Sequence, residues 1–282
     1  MKKILLLVLP LLLFSVSWGQ HFEWAKGFGT GYPQNGECHI TGTVTDSFGN
    51  LYILGQFSND SEWDGERLLP MTPYGPRPDN INTLIAKISP SGKMLWKKVL
   101  HSNNGSVHLP NDIKKVGDTA FACMVQMTLP TDDNYTYYLD TLLQGYSDYP
   151  VNGMYVRLPL RTALIMFDFE GNVLEQHFLY VTYTDTAGND YVRYFNNDPT
   201  PRYSNYFFQN SSFDIDNDGN IYISYEALNY IDTAINAQNG AIKGVKFWVD
   251  STNVGHFTFE NRPPMWYPLI VKFSPHFDTM LA

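Results

Sequence analysis

Positive charge is scarce in this sequence: 19 Lys and Arg stand against 28 Asp and Glu, for a formal net charge of −9. A chain with so little to neutralise phosphates is not expected to bind nucleic acid. Cysteine is scarcer still. The two present, Cys38 and Cys123, allow one disulfide in an oxidising compartment, but Cys123 lies in the apolar run "TAFACMVQM", where a small buried thiol is the commoner outcome. Beyond the N-terminus no stretch is apolar enough to span a membrane, which takes about 20 residues. Metal and nucleophile signatures are missing too. His21, His39, His101, His108, His177, His256 and His276 form no pair at helical spacing and no local ligand cluster, so zinc is not expected. There is no "G-x-S-x-G" elbow and no phosphate-cradling glycine loop, and Ser, His and Asp are too numerous to nominate a triad.

What is present begins with "MKKILLLVLPLLLFSVSWGQ": two lysines, an apolar run from Ile4 to Phe14, and small residues around Ser17 and Gly19. This is the pattern of a secretory signal peptide over residues 1–19, with cleavage expected near Gly19 and no membrane span left afterwards. The expected location is therefore extracytoplasmic: periplasm, outer surface or medium. Residues 20–282 suffice for one large β domain or two smaller ones. Charged residues make up 17% and aromatics 15%, a balance that favours an all-β globular protein over a disordered or helical one.

Internal comparison organises the rest. A turn followed by an alternating strand occurs at "TDSFGNLYILGQF" (45–57), "VGDTAFACMVQM" (116–127) and "DIDNDGNIYISYEA" (214–227). A strand, a turn and another strand follow each at a distance, in "TLIAKISPSGKMLWKKV" (83–99), "TALIMFDFEGNVLEQHF" (162–178) and "PLIVKFSPHFDTML" (268–281). Each pair predicts a four-stranded antiparallel unit, because the short turns force neighbouring strands to reverse. The units fall at about 30–100, 101–180 and 205–282, with the extra length of the later copies between their second and third strands. "FEWAKGFG" (22–29) resembles "MLWKKVLH" (94–101), with Trp24 matching Trp96 and Lys26 matching Lys98. The mature chain thus opens on what reads as an outermost strand, the expected closure of a radial ring.

At "WAKGFG", "DSFGNLYILGQF" and "KISPSGKMLW" the chain resembles the bacterial secreted β-propeller repeat proteins of the SBBP type. The resemblance is good over residues 22–100, weak over 101–180, where "VGDTAF" replaces the Gly-Asn-x-Tyr pattern, and partial over 205–282. It implies propeller-like blades and an extracytoplasmic setting, and it implies no reaction. Three blades do not close a ring, for which four to eight are typical. An incomplete ring in a truncated chain is the expectation.

Asp214, Asp216 and Asp218, followed by Gly219, fit the first half of a calcium loop. The second half departs, with Tyr222 ninth and Tyr225 twelfth where ligands belong. In the first unit Val44, Asp46 and Phe48 occupy the matching places, so one turn is built with a single carboxylate. A hairpin turn is the preferred reading, with calcium at the three aspartates the alternative; no other cofactor is expected.

Aromatic stretches at 133–156, 190–208 and 257–268 alternate Tyr, Phe or Trp with Asn, Asp and Arg. Rings that stack on sugar faces, edged by hydrogen bonders, suit glycan binding, and the same composition suits protein contacts or the private core of a long insertion. Thr141, Thr186 and Thr233 follow aspartate in tripeptides similar to an O-glycosylation acceptor of exported bacterial proteins. The leading expectation is a secreted or cell-surface, non-catalytic repeat protein that binds protein or glycan through these loops. The alternatives are a propeller enzyme acting on polysaccharide and a calcium-stabilised adhesin or structural module.

Overall fold

The computed structural model describes residues 24–30, 38–58, 61–68, 81–100, 108–128, 137–139, 141–143, 149–151, 154–156, 160–185, 190–191, 212–228, 242–250, 252–258, 266–276 and 279–281. In chain order the strands are β1 (Phe28–Thr30), β2 (Cys38–Thr45), β3 (Leu51–Ser58), β4 (Ser61–Trp63), β5 (Glu66–Arg67), β6 (Ile81–Ile88) and β7 (Met94–Leu100). Next come β8 (His108–Val116), β9 (Ala120–Thr128), β10 (Tyr137–Leu139), β11 (Thr141–Leu143), β12 (Tyr149–Val151), β13 (Met154–Val156), β14 (Leu160–Asp168) and β15 (Val173–Asp185). The last are β16 (Asp190–Tyr191), β17 (Ser212–Ile215), β18 (Ile221–Leu228), β19 (Ile242–Val249), β20 (Thr252–Thr258), β21 (Trp266–Phe273) and β22 (Met280–Leu281). The protein is all-β, and no helix long and apolar enough to cross a membrane occurs among the described residues.

The three sequence units become three antiparallel sheets. The first has order β2-β3-β6-β7 and the third β17-β18-β21-β22. The second, β8-β9-β14-β15, does not stop at four strands, because β19 and β20 continue it beyond β15. Those two strands come from the long connection between β18 and β21 of the third unit, which the repeat pattern alone places with that unit. Sheet order follows hydrogen bonds rather than the repeat: β15 runs 13 residues, long enough to offer β19 a full second edge.

β1 also departs from expectation. It pairs with β4, in a small sheet β1-β4-β5, rather than serving as the outer strand of the last unit. The reason is apolar cover. Ile53, Phe57, Leu84, Ala86 and Ile88 on the outer face of the first sheet pack with Trp63 and Leu68, and Trp24 and Phe28 close over them.

Between the sheets the core follows the two-residue period of a strand. Along β9, Phe121, Cys123 and Val125 pack with Tyr52, Leu54 and Ile85 of the first sheet. The alternate residues Ala122 and Met124 pack with Phe213, Ile221, Ile223 and Phe273 of the third. A strand buried on both faces reads as a continuous apolar run, which explains "TAFACMVQM". Each large side chain so buried contributes about 1.5–3 kcal/mol. Strands β2 and β17 both contact β8, and a Cβ at Gly42 in β2 would meet Ile113 Cγ2 at 2.8 Å, a close approach that only glycine permits.

Cys38 and Cys123 are free thiols on different faces. Cys38 packs in the outer cluster of the first sheet with its Sγ 3.0 Å from Ser61 Oγ, and Cys123 lies between the first and second sheets. Burial pushes both thiols up from their ordinary pKa.

Candidate functional site

Three turns share one construction. In the first, Asp46 Oδ1 accepts from the Phe48 and Asn50 backbone N–H groups, each at 2.9 Å, and Oδ2 accepts from Asn50 Nδ2 at 2.8 Å. Asp168 repeats this with Glu170 and Asn172, and Asp216 with Asp218 and Asn220. A short carboxylate bonding its own backbone two and four residues on fixes the bend, and the following glycine supplies positive φ: 79° at Gly49, 88° at Gly171 and 82° at Gly219. The Asp216 carboxyl stands below its ordinary pKa, held there first by the Asn220 side chain. Burial opposes the same shift at Asp46 and Asp168, and the hydrogen bonds outweigh it.

The structure therefore separates the three aspartates weighed as calcium ligands. Asp216 is committed within its own turn and also accepts from Tyr222 Oη at 3.1 Å, with Lys272 Nζ 3.8 Å away. Asp214 Oδ1 accepts from the Ile215 N–H, and Asp218 gives its N–H to Asp216. Among the described residues no group of three or more His, Cys, Asp or Glu side chains is placed to hold a metal ion.

A larger constellation sits where the sheets meet. Tyr52 on β3 lies opposite Lys87 on β6, and Lys87 opposite Trp96 on β7. All three reach one atom of the neighbouring sheet, the carbonyl oxygen of Phe169 in the β14–β15 turn: Lys87 Nζ at 2.9 Å, Tyr52 Oη at 3.1 Å and Trp96 Nε1 at 3.4 Å. Tyr52 Oη is also 3.0 Å from Asp46 Oδ2, so its one proton serves either acceptor. Burial, then the hydrogen bond to Asp46, raises the phenol's pKa and keeps it a donor. The Phe169 ring packs 4.9 Å from the Tyr52 ring, while Lys87 Nζ stands 5.3 Å over the same ring. This is a capture site for a turn: an ammonium, a phenol and an indole as donors, and an aromatic bed.

The same parts recur at both ends. Trp24 Nε1 donates to the Pro90 carbonyl at 2.8 Å, and Pro90 occupies in the Ser89–Gly92 turn the place of Phe169 in its own. In the third sheet Tyr222 lies opposite Lys272, with Lys272 Nζ 5.2 Å over the Tyr222 ring. The Tyr222 hydroxyl raises the Lys272 pKa, so that lysine stays charged.

One further pair escaped the sequence. His177 on β15 meets Asp250 in the β19–β20 turn, Nδ1 to Oδ2 at 3.1 Å, with Glu175 Oε2 at 3.7 Å from Nε2. Asp250 Oδ1 also accepts from the Phe178 N–H, and Asp250 itself has φ of 54°, strained for a non-glycine residue. The two lie 73 residues apart, and only the added strands bring them together.

The aromatic stretches at 133–156, 190–208 and 257–268 fall mostly outside the described residues, as do Thr186 and Thr233; Thr141 begins β11. No family model matches the chain, and no curated protein matches it.

Proposed function

We propose that this chain is a secreted or cell-surface, non-catalytic interaction protein of the β-propeller repeat type, binding a protein or glycan through its long aromatic insertions. The observation that carries the reading is the capture of the second sheet's turn by the first, Phe169 by Trp96, Lys87 and Tyr52, and of the first sheet's Pro90 turn by Trp24, in the segment ahead of β1. Sheets related in this way form a scaffold whose parts are spent on holding one another. Supporting it further, the described polar clusters, Asp46 with Asn50 and Tyr52, Asp168 with Asn172, Asp216 with Asn220, are consumed by turn geometry rather than left facing a cleft. One of the insertions, 133–156, falls in the connection between the second and third strands of its unit, β9 to β14, and 257–268 runs from the end of β20 into the start of β21. Equivalent connections of a repeated frame are where binding loops are carried.

The test is a screen of the full chain against arrayed glycans and surface proteins, paired with a variant whose 133–156 and 190–208 segments are replaced by Gly-Ser linkers. Saturable binding by the first and loss in the second, with an unchanged melting midpoint, is the expected result. The absence of any ligand in both panels would sink the proposal.

A further inference from the structure

Aspartate is followed by a hydroxyl residue more often in this chain than its composition requires. Eight of its 20 aspartates precede Ser or Thr, which make up only 36 of the 282 residues, and in six of the eight the third residue is Ala, Leu, Met or Thr. Turn building does not account for the excess. At Asp46, Asp168 and Asp216 the carboxylate is spent on its own turn, and of these only Asp46 is followed by a hydroxyl, in Asp46-Ser47-Phe48. Asp118-Thr119-Ala120, in the β8–β9 turn, is built differently. The Asp118 side chain is 89% exposed, and its carboxylate meets Lys115 Nζ at 2.9 Å and, among the described residues, no backbone N–H. Thr119 is exposed, and among the described residues its hydroxyl has no hydrogen-bond partner. Ala120 is buried, so the strand end is fixed while carboxylate and hydroxyl point away from it. The approach is open, since a Cβ at the preceding Gly117 would meet nothing within 4 Å. Thr279, of Asp278-Thr279-Met280, is likewise exposed in the β21–β22 turn.

We propose that Thr119 is an acceptor for an O-linked neutral sugar, that Asp118 is the residue a glycosyltransferase reads beside it, and that Thr279 is a second acceptor. The sugar comes from a donor in which it is linked to a diphosphate. Thr119 Oγ1 attacks the anomeric carbon, the new carbon–oxygen bond forms as the sugar–phosphate bond breaks, the diphosphate leaves with the electron pair, and the hydroxyl proton passes to a base on the transferase. Charge favours a sugar over a phosphoryl group at this place. Phosphate would add to a net charge of −9 and stand beside the Asp118 carboxylate, where like charges repel; a neutral sugar adds no charge. Its bulk and hydration suit an exposed turn. The turn of Asp46-Ser47-Phe48 is also exposed at Ser47, but there the carboxylate is buried and already bonded four times, so a transferase finds no carboxylate to read. In Asp60-Ser61-Glu62 the serine itself is buried against Cys38. Thr119 and Thr279 lie outside the aromatic insertions replaced in the test above, so the two readings fail independently.

The experiment maps the chain, recovered from the cells that make it, by peptide mass spectrometry with electron-transfer fragmentation, which leaves a sugar on its side chain. Sugar mass increments are expected on Thr119 and Thr279. None is expected on Ser47, or on Thr41, Thr43 and Thr45, which are exposed along β2 but follow no aspartate. Asp118→Asn, made in the same cells, should cut occupancy at Thr119 by roughly tenfold or more, the loss that goes with one charge-assisted hydrogen bond to the transferase. Occupancy at Thr279 in that variant should match the parent's. A bare Thr119 in the parent overturns the proposal, as does a phosphate increment in place of a sugar. Equal modification of Thr41, Thr43 or Thr45, or full occupancy of Thr119 in Asp118→Asn, would show exposure alone at work and overturn it too.

Discussion

Trp24 and Trp96 make the same hydrogen bond one sheet apart: the first indole donates to Pro90 O, the second to Phe169 O. Each lies against the glycine two residues past its acceptor. A Cβ at Gly92 would meet Trp24 Cδ2 at 2.7 Å, and one at Gly171 would meet Trp96 Cε2 at 3.2 Å. Both glycines carry positive φ, 81° and 88°, so Ala at either adds backbone strain to crowding.

The first prediction concerns this pair. Gly92→Ala should cost about 1–2 kcal/mol from the left-handed backbone alone, and more where the indole is displaced. Trp24→Phe keeps a ring but loses the donor, and should cost about 1 kcal/mol. Chemical denaturation checks both. The double variant should cost less than the sum of the singles, since the two residues share one contact. Strict additivity would mean that the Trp24 contact is incidental.

The second concerns Asp46, whose side chain is buried and takes two backbone and two side-chain hydrogen bonds. Asp46→Ala leaves several of those donors unpaired and should destabilise by about 1–3 kcal/mol. Asp216→Ala, in the matching turn of the third sheet but at a position more open to solvent, should cost less. The Asp46 carboxyl has a lowered folded pKa, so its contribution is present above the unfolded value of about 3.9 and is lost as pH falls through the folded one. The acid limb of a stability profile should therefore flatten in Asp46→Asn.

The third prediction is a pH window. Its hydrogen bond to Asp250 raises the His177 pKa; burial pushes Asp250 up, but the bonds from His177 and the Phe178 N–H outweigh it and hold the carboxyl low. The raised histidine contributes stability fully below its unfolded pKa of about 6.5, and that is lost as pH rises through the folded value. The lowered aspartate contributes above about 3.9 and loses its share as pH falls. The pair is thus at full strength from about pH 4 to 6.5 and weaker on either side. Asp250 is half exposed, so solvent screening limits the total to about 1 kcal/mol or less. His177→Gln should remove the alkaline loss, read as a melting midpoint that no longer drops between about pH 6 and 8.

The all-β class and the strands of each unit were legible because their cause is local. Alternating residues, Asp-x-x-Gly-Asn turns and two-residue periodicity all lie within about ten positions of one another, and β2, β3, β6 and β7 emerge in the expected order. The placement of β19 and β20 was not legible. Their sequence sits inside the third unit, while their partner β15 belongs to the second, and edge pairing over that distance leaves no periodic trace. For the same reason Trp24 was matched to Trp96 by its neighbours, yet the pairing of β1 with β4 was missed: the "SEW" segment at 61–63 carries no repeat signature. His177 and Asp250 were invisible together, since each is an ordinary residue in its own segment.

The last prediction returns to Asp214, Asp216 and Asp218. A calcium ion there would need carboxylate oxygens free to converge, and Asp216 Oδ2 already lies within hydrogen-bond reach of Asn220 Nδ2 and Tyr222 Oη, with the Lys272 ammonium 3.8 Å away. To enter, the cation would have to break the turn's own bonds and face a lysine, both opposed to binding. The Asp46 and Asp168 turns hold the same geometry with apolar or single acidic neighbours, so the bend needs no metal to form. A melting curve with chelator should therefore overlay the curve in millimolar calcium, and Asp218→Asn should melt where the parent does. A midpoint that climbs with calcium in the parent and not in Asp216→Asn would show instead that the turn opens to receive the ion, and that its hydrogen bonds are a resting state rather than the working one.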